Sequence, residues 1–194
     1  MRLVALLVLG ACGRIGFAPQ DATGDPDATA TTDGMLAMTC DPADSRLVAC
    51  FDFEDNAIDG SGHGHDATTT AVSCVDGPRG RAIKLASTSK VTLAVPATFD
   101  TQVVTIEMWI SPDMLPPSGR MMLFDDDLNY AMGLLPAGGV FCAGPGLQFD
   151  VAPNIATATW THVACTFDGT HVSAYRNGAT HTMRCAPNAT MLNR

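Results

Sequence analysis

The sequence predicts an all-β chain folded as a two-sheet antiparallel sandwich, and three observations carry that expectation. Apolar residues alternate with a period of two through much of the chain from Arg46 onward, the pattern of strands with one buried face. Turn-forming pairs separate the alternating runs. Gly 18 and Pro 12 against only 16% charged residues suit short strands and frequent reversals better than long helices rich in Ala, Glu, Lys and Leu. The 194 residues, 46% of them hydrophobic, supply one domain with its own core. A net charge of -9 repels phosphate backbones, so nucleic acid is excluded as a partner.

The first residues read as an address. Met1 and Arg2 precede the apolar run Leu3 to Leu9, and Gly10, Ala11 and Cys12 follow, the layout of an export signal with a small-residue processing site. The run is far shorter than the roughly 20 apolar residues that cross a bilayer as a helix. The competing reading is a buried first strand. Leu9-Gly10-Ala11-Cys12 resembles the lipobox of bacterial lipoproteins. That resemblance implies that residues 1–11 are a signal peptide removed on export and that Cys12 carries the lipid. The protein would then be anchored in the bacterial cell envelope, at the outer membrane or cell surface. Each buried methylene of the acyl chains would contribute about 0.8 kcal/mol.

Residues 12–39 form the lipidated Cys and a flexible acidic tether. From Ala18 to Thr39 the chain holds Asp21, Asp25, Asp27 and Asp33 among Ala, Thr, Gly and Pro, with no basic or aromatic residue. Such a segment cannot bury enough apolar surface to offset the entropy of ordering. Its aspartates lack the Gly and terminal Glu of an EF-hand loop.

The folded part is expected at 40–194. Leu47, Ala49, Phe51 and Phe53 alternate with Val48, Asp52 and Glu54 and predict a first strand. The alternation returns in Val91, Leu93 and Val95, in Val104, Ile106, Met108 and Ile110, and in Val163, Cys165 and Phe167. Shorter runs lie at 121–124, 130–135, 147–151 and 172–175. Asp59-Gly60-Ser61-Gly62, Asp76-Gly77-Pro78, Pro116-Pro117, Gly138-Gly139, Asp168-Gly169 and Asn177-Gly178 supply the reversals between them.

Seven cysteines become six once Cys12 is assigned to the lipid. An even number in an oxidising compartment predicts three disulfides, each contributing roughly 2 to 4 kcal/mol. No Cys-x-x-Cys pair or zinc-ligand spacing occurs among them. Cys142 and Cys165 lie on predicted neighbouring strands and are the favoured pair. Cys40 with Cys50 and Cys74 with Cys185 follow by elimination.

Several segments carry a resemblance when taken in order. They are Phe51-Asp52-Phe53-Glu54, the turn from Asp59 to Asp66, Gly77 to Leu85, Val104 to Ile110, Trp160 to Ala164, Phe167-Asp168-Gly169 and Tyr175-Arg176-Asn177-Gly178. Over Leu47 to Gly178 the chain resembles a laminin-G-like, concanavalin A-like jelly roll. In that family further strands follow the Tyr-x-Asn-Gly turn, ending in an Ile-Asp-aromatic segment that pairs near the first strand. Ala179 to Arg194 contains no such segment. The expectation is therefore a jelly roll lacking its last strands, C-terminally truncated, with Leu47 to Phe53 an exposed edge and the chain marginally stable or self-associating through it.

The chemistry the sequence offers is limited. Glucanases sharing the sandwich place carboxylates as Glu-x-Asp-x-x-Glu, whereas the two glutamates here, Glu54 and Glu107, sit outside any such pattern. No Gly-x-Ser-x-Gly elbow is present, so no catalytic residue is assigned and the chain is read as no enzyme. His63-Gly64-His65 is read as part of a turn. Asp125, Asp126 and Asp127 are the candidate metal ligands, as three carboxylates in a loop whose repulsion calcium would relieve. A solvated acidic loop is the competing reading, and calcium is the one cofactor in question. The resemblance implies that Trp109 and Trp160 pack in or beside the core. The favoured function is a surface-anchored, non-catalytic module recognising a glycan or protein ligand. The alternatives are a structural envelope lipoprotein without a ligand and a glucanase-type enzyme.

Overall fold

The computed structural model describes residues 2–4, 40–78, 80–93, 103–126, 129–144, 147–151, 154–169 and 171–185. Among them are thirteen strands: β1 (Arg2–Val4), β2 (Ala67–Thr70), β3 (Ser73–Gly77), β4 (Gly80–Lys84), β5 (Lys90–Leu93), β6 (Val103–Ser111), β7 (Met121–Asp126), β8 (Tyr130–Leu134), β9 (Val140–Gly144), β10 (Leu147–Val151), β11 (Thr161–Asp168), β12 (His171–Arg176) and β13 (Ala179–Cys185). They build a seven-stranded sheet in the order β13-β12-β11-β6-β1-β4-β3, a four-stranded sheet β10-β9-β8-β7, and a two-stranded ribbon β2-β5. The pairings are antiparallel. The fold is the expected all-β jelly-roll sandwich.

The alternation of β6 fixes the architecture. Val104, Ile106, Met108 and Ile110 are buried and stand opposite Phe167, Cys165, Val163 and Thr161 of β11. From the four-stranded sheet come Tyr130, Met132 and Leu134 of β8 and Val140 and Cys142 of β9, all in the same core cluster. Each large apolar side chain removed from water contributes about 1.5 to 3 kcal/mol. A one-residue slip of β6 against β11 would turn these inner rows outward, so burial also fixes the register.

A disulfide joins the two sheets. Cys142 of β9 is bonded to Cys165 of β11, with α-carbons 5.9 Å apart. The pairing is the favoured one, but the strands face each other across the sandwich instead of lying side by side. Sheets ordinarily pack about 10 Å apart, so the sandwich is pinched here. Small neighbours permit this: Ala174 is paired with Cys165, and a Cβ on Gly144 would come within 2.5 Å of the Phe167 ring.

Cys40 is bonded to Cys50, as elimination suggested. The third expected bridge does not form, because Cys74 is a free, exposed thiol. Its strand β3 and the β13 strand that carries Cys185 are the two ends of the seven-stranded sheet. Six strand spacings put them about 29 Å apart at 4.8 Å each, far beyond disulfide reach.

Leu47 to Phe53 also departs from expectation. Leu47, Ala49, Cys50, Phe51 and Phe53 are buried, yet among the described residues the segment joins none of the three sheets, and Leu47 alone forms an isolated bridge. Much of its backbone bonding is to the following turn. The Cys50 N–H donates to Asp59 Oδ1 at 2.9 Å, the Cys50 carbonyl accepts from Gly60 N–H at 2.8 Å, and the Val48 carbonyl accepts from the Ser61 hydroxyl at 3.2 Å. Phe53 at φ 55° and Asp55 at φ 61° then break the extended path. The segment is thus an apolar strap, and the expected exposed edge does not lie there. At the other end, the Asn177-Gly178 turn leads into β13, which adds a strand beyond those expected. Positive φ at Asn177 (48°) and Gly178 (80°) is the requirement of a two-residue type I′ hairpin.

Candidate functional site

Side chains alternate across a strand, so the residues between the core positions of β6 and β11 face outward from the seven-stranded sheet. Glu107 and Trp109 are the outward residues of β6 beside Met108. The register sets His162 opposite Trp109 and Ala164 opposite Glu107, and Tyr175 of β12 opposite Ala164. One tryptophan, one tyrosine, one histidine and one carboxylate thus share a face.

The geometry within this group is close. The ring centroids of Trp109 and His162 are 5.5 Å apart and tilted by 59°. His162 Nε2 lies 3.5 Å from Glu107 Oε2. Both of these polar side chains are buried, while Trp109 and Tyr175 are half-buried. His162 is positioned by its backbone as well. Its N–H donates to Asn177 Oδ1 at 3.0 Å, and its carbonyl accepts from Asn177 N–H at 2.9 Å. The hairpin turn that ends β12 therefore holds the histidine in place.

This arrangement offers an aromatic ring for apolar contact and an imidazole–carboxylate pair for hydroxyl groups, the combination used to orient small polar ligands. Two facing carboxylates are not among its features. Glu54, the other glutamate, lies in the loop beside the β3–β4 turn, where its Oε1 accepts the Arg81 N–H at 2.8 Å. Neither tryptophan behaves as expected: Trp109 and Trp160 are half-buried and belong to no core cluster.

The aspartate cluster is placed differently from expectation. Asp125 and Asp126 are the last two residues of strand β7 and not part of a loop. Consecutive strand residues point to opposite faces, so these two do not converge on one cation. Asp127 lies outside the described residues. Among the described residues no group of three His, Cys, Asp or Glu side chains is placed to hold a metal ion. Cys12 and the tether also lie outside them.

The Asp59 turn is a structural knot that sequence reading recognised only as a turn. The buried Asp59 carboxylate accepts N–H bonds from Cys50 at 2.9 Å, Ser61 at 2.9 Å and His65 at 3.0 Å, and the Ser61 hydroxyl at 2.7 Å. Burial by itself would raise this carboxyl, but these donors outweigh it and hold Asp59 below the usual carboxylate range. The rings of His63 and His65 stack 6.1 Å apart on the same loop. The signal for the knot was Asp-Gly-Ser-Gly itself, because a short acceptor at the head of a glycine turn is placed to collect N–H groups.

A family described as the concanavalin A-like lectin/glucanases superfamily matches residues 85–187. None of the curated proteins matches the chain. Among solved structures, the chain is similar to domain 4 of AbnA, a GH43 extracellular arabinanase from Geobacillus stearothermophilus, in complex with arabinotriose. The identity is 22% with a TM-score of 0.55, covering 71% of this chain and 74% of that one. At this identity the likeness speaks for the fold.

Proposed function

Because the chain belongs to the concanavalin A-like lectin/glucanases superfamily, we propose that it is a non-catalytic module that recognises an oligosaccharide on the outward face of its seven-stranded sheet. The observation that carries this reading is the Trp109–His162–Glu107 group, with Tyr175 beside it. An aromatic face and paired polar groups match a sugar ring, which is apolar on its faces and ringed by hydroxyls. The oligosaccharide held by the arabinanase domain supports the same ligand class. That Glu54 and Glu107 occupy separate places favours binding over glycoside hydrolysis, which needs two carboxylates across one cleft. In this proposal the module is exported and lipid-anchored through Cys12.

The test is a glycan array probed with the protein, with and without calcium, followed by titration of any hit against Trp109→Ala. Saturable glycan binding that the substitution weakens at least tenfold is the expected outcome, equivalent to about 1.4 kcal/mol. A protein that binds no glycan, or binds one equally well without the Trp109 ring, ends this reading. For the anchor, Cys12→Ser is expected to abolish incorporation of labelled palmitate in the producing bacterium; continued labelling would refute the assignment.

A further inference from the structure

The outward face that carries Glu107, Trp109, His162 and Tyr175 has a single sign of fixed charge. Among the described residues of β6, β11 and β12, its carboxylates are Glu107 and Asp168, and neither Lys nor Arg holds an outward position. The three strands contain one such cation, Arg176. It stands opposite the inward Val163, and its Nη1 donates to the Asn154 carbonyl at 3.3 Å. The imidazoles of the face are each beside a carboxylate: His162 Nε2 lies 3.5 Å from Glu107 Oε2, and His171 Nδ1 lies 3.2 Å from Asp168 Oδ2.

Cations elsewhere are matched where they stand. Arg46 is paired with Asp44 at 2.7 Å, Arg81 with Asp55 at 3.2 Å and Asp76 at 2.9 Å, and Lys84 with Asp113 at 3.4 Å. The whole chain carries a net charge of -9. A carboxylate or sulfate brought to the Trp109–His162–Glu107 group therefore approaches through a field of its own sign. At the group it meets Glu107, which is buried, where the low local dielectric makes like-charge repulsion stronger than in water. A sugar hydroxyl meets no such barrier, since it can donate to the carboxylate and accept from an imidazole N–H.

We infer that this site takes oligosaccharides of uncharged sugars and rejects those that present a carboxylate or sulfate to it, and that Glu107 sets the discrimination. The inference rests on the glycan reading above and goes beyond it by fixing the charge class of the ligand. Specificity is a difference between two affinities. Here it comes from repulsion of the acidic sugar as much as from the contacts that Trp109, His162 and Glu107 make to the neutral one.

The protein is titrated with neutral hexose and arabinose oligosaccharides at an ionic strength of about 20 mM, where the Debye length is about 20 Å. The tightest binder is then compared with two derivatives at its primary alcohol, one oxidised to the carboxylate and one replaced by an amine. The three groups are similar in size and differ in charge. The carboxylate form is expected to bind at least about tenfold more weakly than the alcohol, with the amine no weaker than the alcohol. In Glu107→Gln the ratio of alcohol to carboxylate affinity is expected to narrow at least about threefold, and because both ligands are read on one preparation, partial unfolding leaves that ratio untouched. A carboxylate form bound as tightly as the alcohol by the wild-type protein would overturn the inference and leave the glycan reading standing. So would an amine weakened as much as the carboxylate, because size and not charge would then be responsible. A ratio unchanged in Glu107→Gln would overturn the role given to Glu107. Absence of binding to every oligosaccharide would end the glycan reading itself, and this inference with it.

Discussion

Asp59 shows how one short side chain can replace a strand. It collects three backbone N–H groups and a hydroxyl, and so ties the apolar strap at Cys50 to the turn that follows it. Replacing it with Ala leaves those buried donors without an acceptor, and a loss of at least about 2 kcal/mol is expected in urea unfolding. The sign of its pH dependence follows from the lowered carboxyl of the folded state. Its contribution is present above the unfolded value near 3.9 and is lost as pH falls through the lower folded value. Asp59→Asn is therefore expected to flatten the acid limb of the stability curve, as followed by circular dichroism between pH 2 and about 5. Gly60 is tied to the same knot. A Cβ there would lie 2.5 Å from Cys40 Cβ and 3.1 Å from Cys40 Sγ, so Gly60→Ala is expected to lower the melting temperature by displacing the Cys40–Cys50 bridge.

Among the elements, β6 and β11 were the most legible in the sequence because their inner rows are unbroken runs of apolar residues, Val104, Ile106, Met108 and Ile110 and Val163, Cys165 and Phe167, alternating with residues that are mostly polar or small. β2 and β3 left no such trace. Their residues are exposed or half-buried along their length, so no alternate row of apolar residues was required. The strap at Leu47 to Phe53 misled in the opposite direction: it alternates because one side is buried, yet pairing is decided by what lies beside it. The cross-sheet bridge carries a prediction at this scale. Replacing Cys142 and Cys165 together by Ala is expected to destabilise the sandwich by about 2 to 4 kcal/mol in denaturant titration. The single free thiol among the described residues carries another. Cys74 is expected to react with N-ethylmaleimide in the native protein, while Cys40, Cys50, Cys142 and Cys165 stay unlabelled until reduced. An unlabelled Cys74 in native protein would contradict its exposed, unbridged state.

For the molecule as a whole, the large sheet does two things: its inner face makes the core, and its outer face gathers Glu107, Trp109, His162 and Tyr175. None of these four is within reach of more than one other in sequence, so their proximity was not legible before the register of β6, β11 and β12 was known. The same holds for the cysteines: parity suggested three bridges, but the strand order separates Cys74 from Cys185 by the width of the sheet. The aspartates at 125 and 126 show a third case, in which neighbours in sequence are divided by the pleat. The sequence by itself determined the sandwich, its turns and its apolar rows. Those follow from local periodicity, from backbone conformations that only certain residues adopt, and from burial that every strand must satisfy. Only the tertiary structure decided which strands lie side by side, which outward residues share a face, and that the amino-terminal residues Arg2–Val4 stand between β4 and β6. Strand order is a long-range choice among segments with similar patterns, and it is settled by which packing leaves the fewest apolar faces and backbone groups without partners.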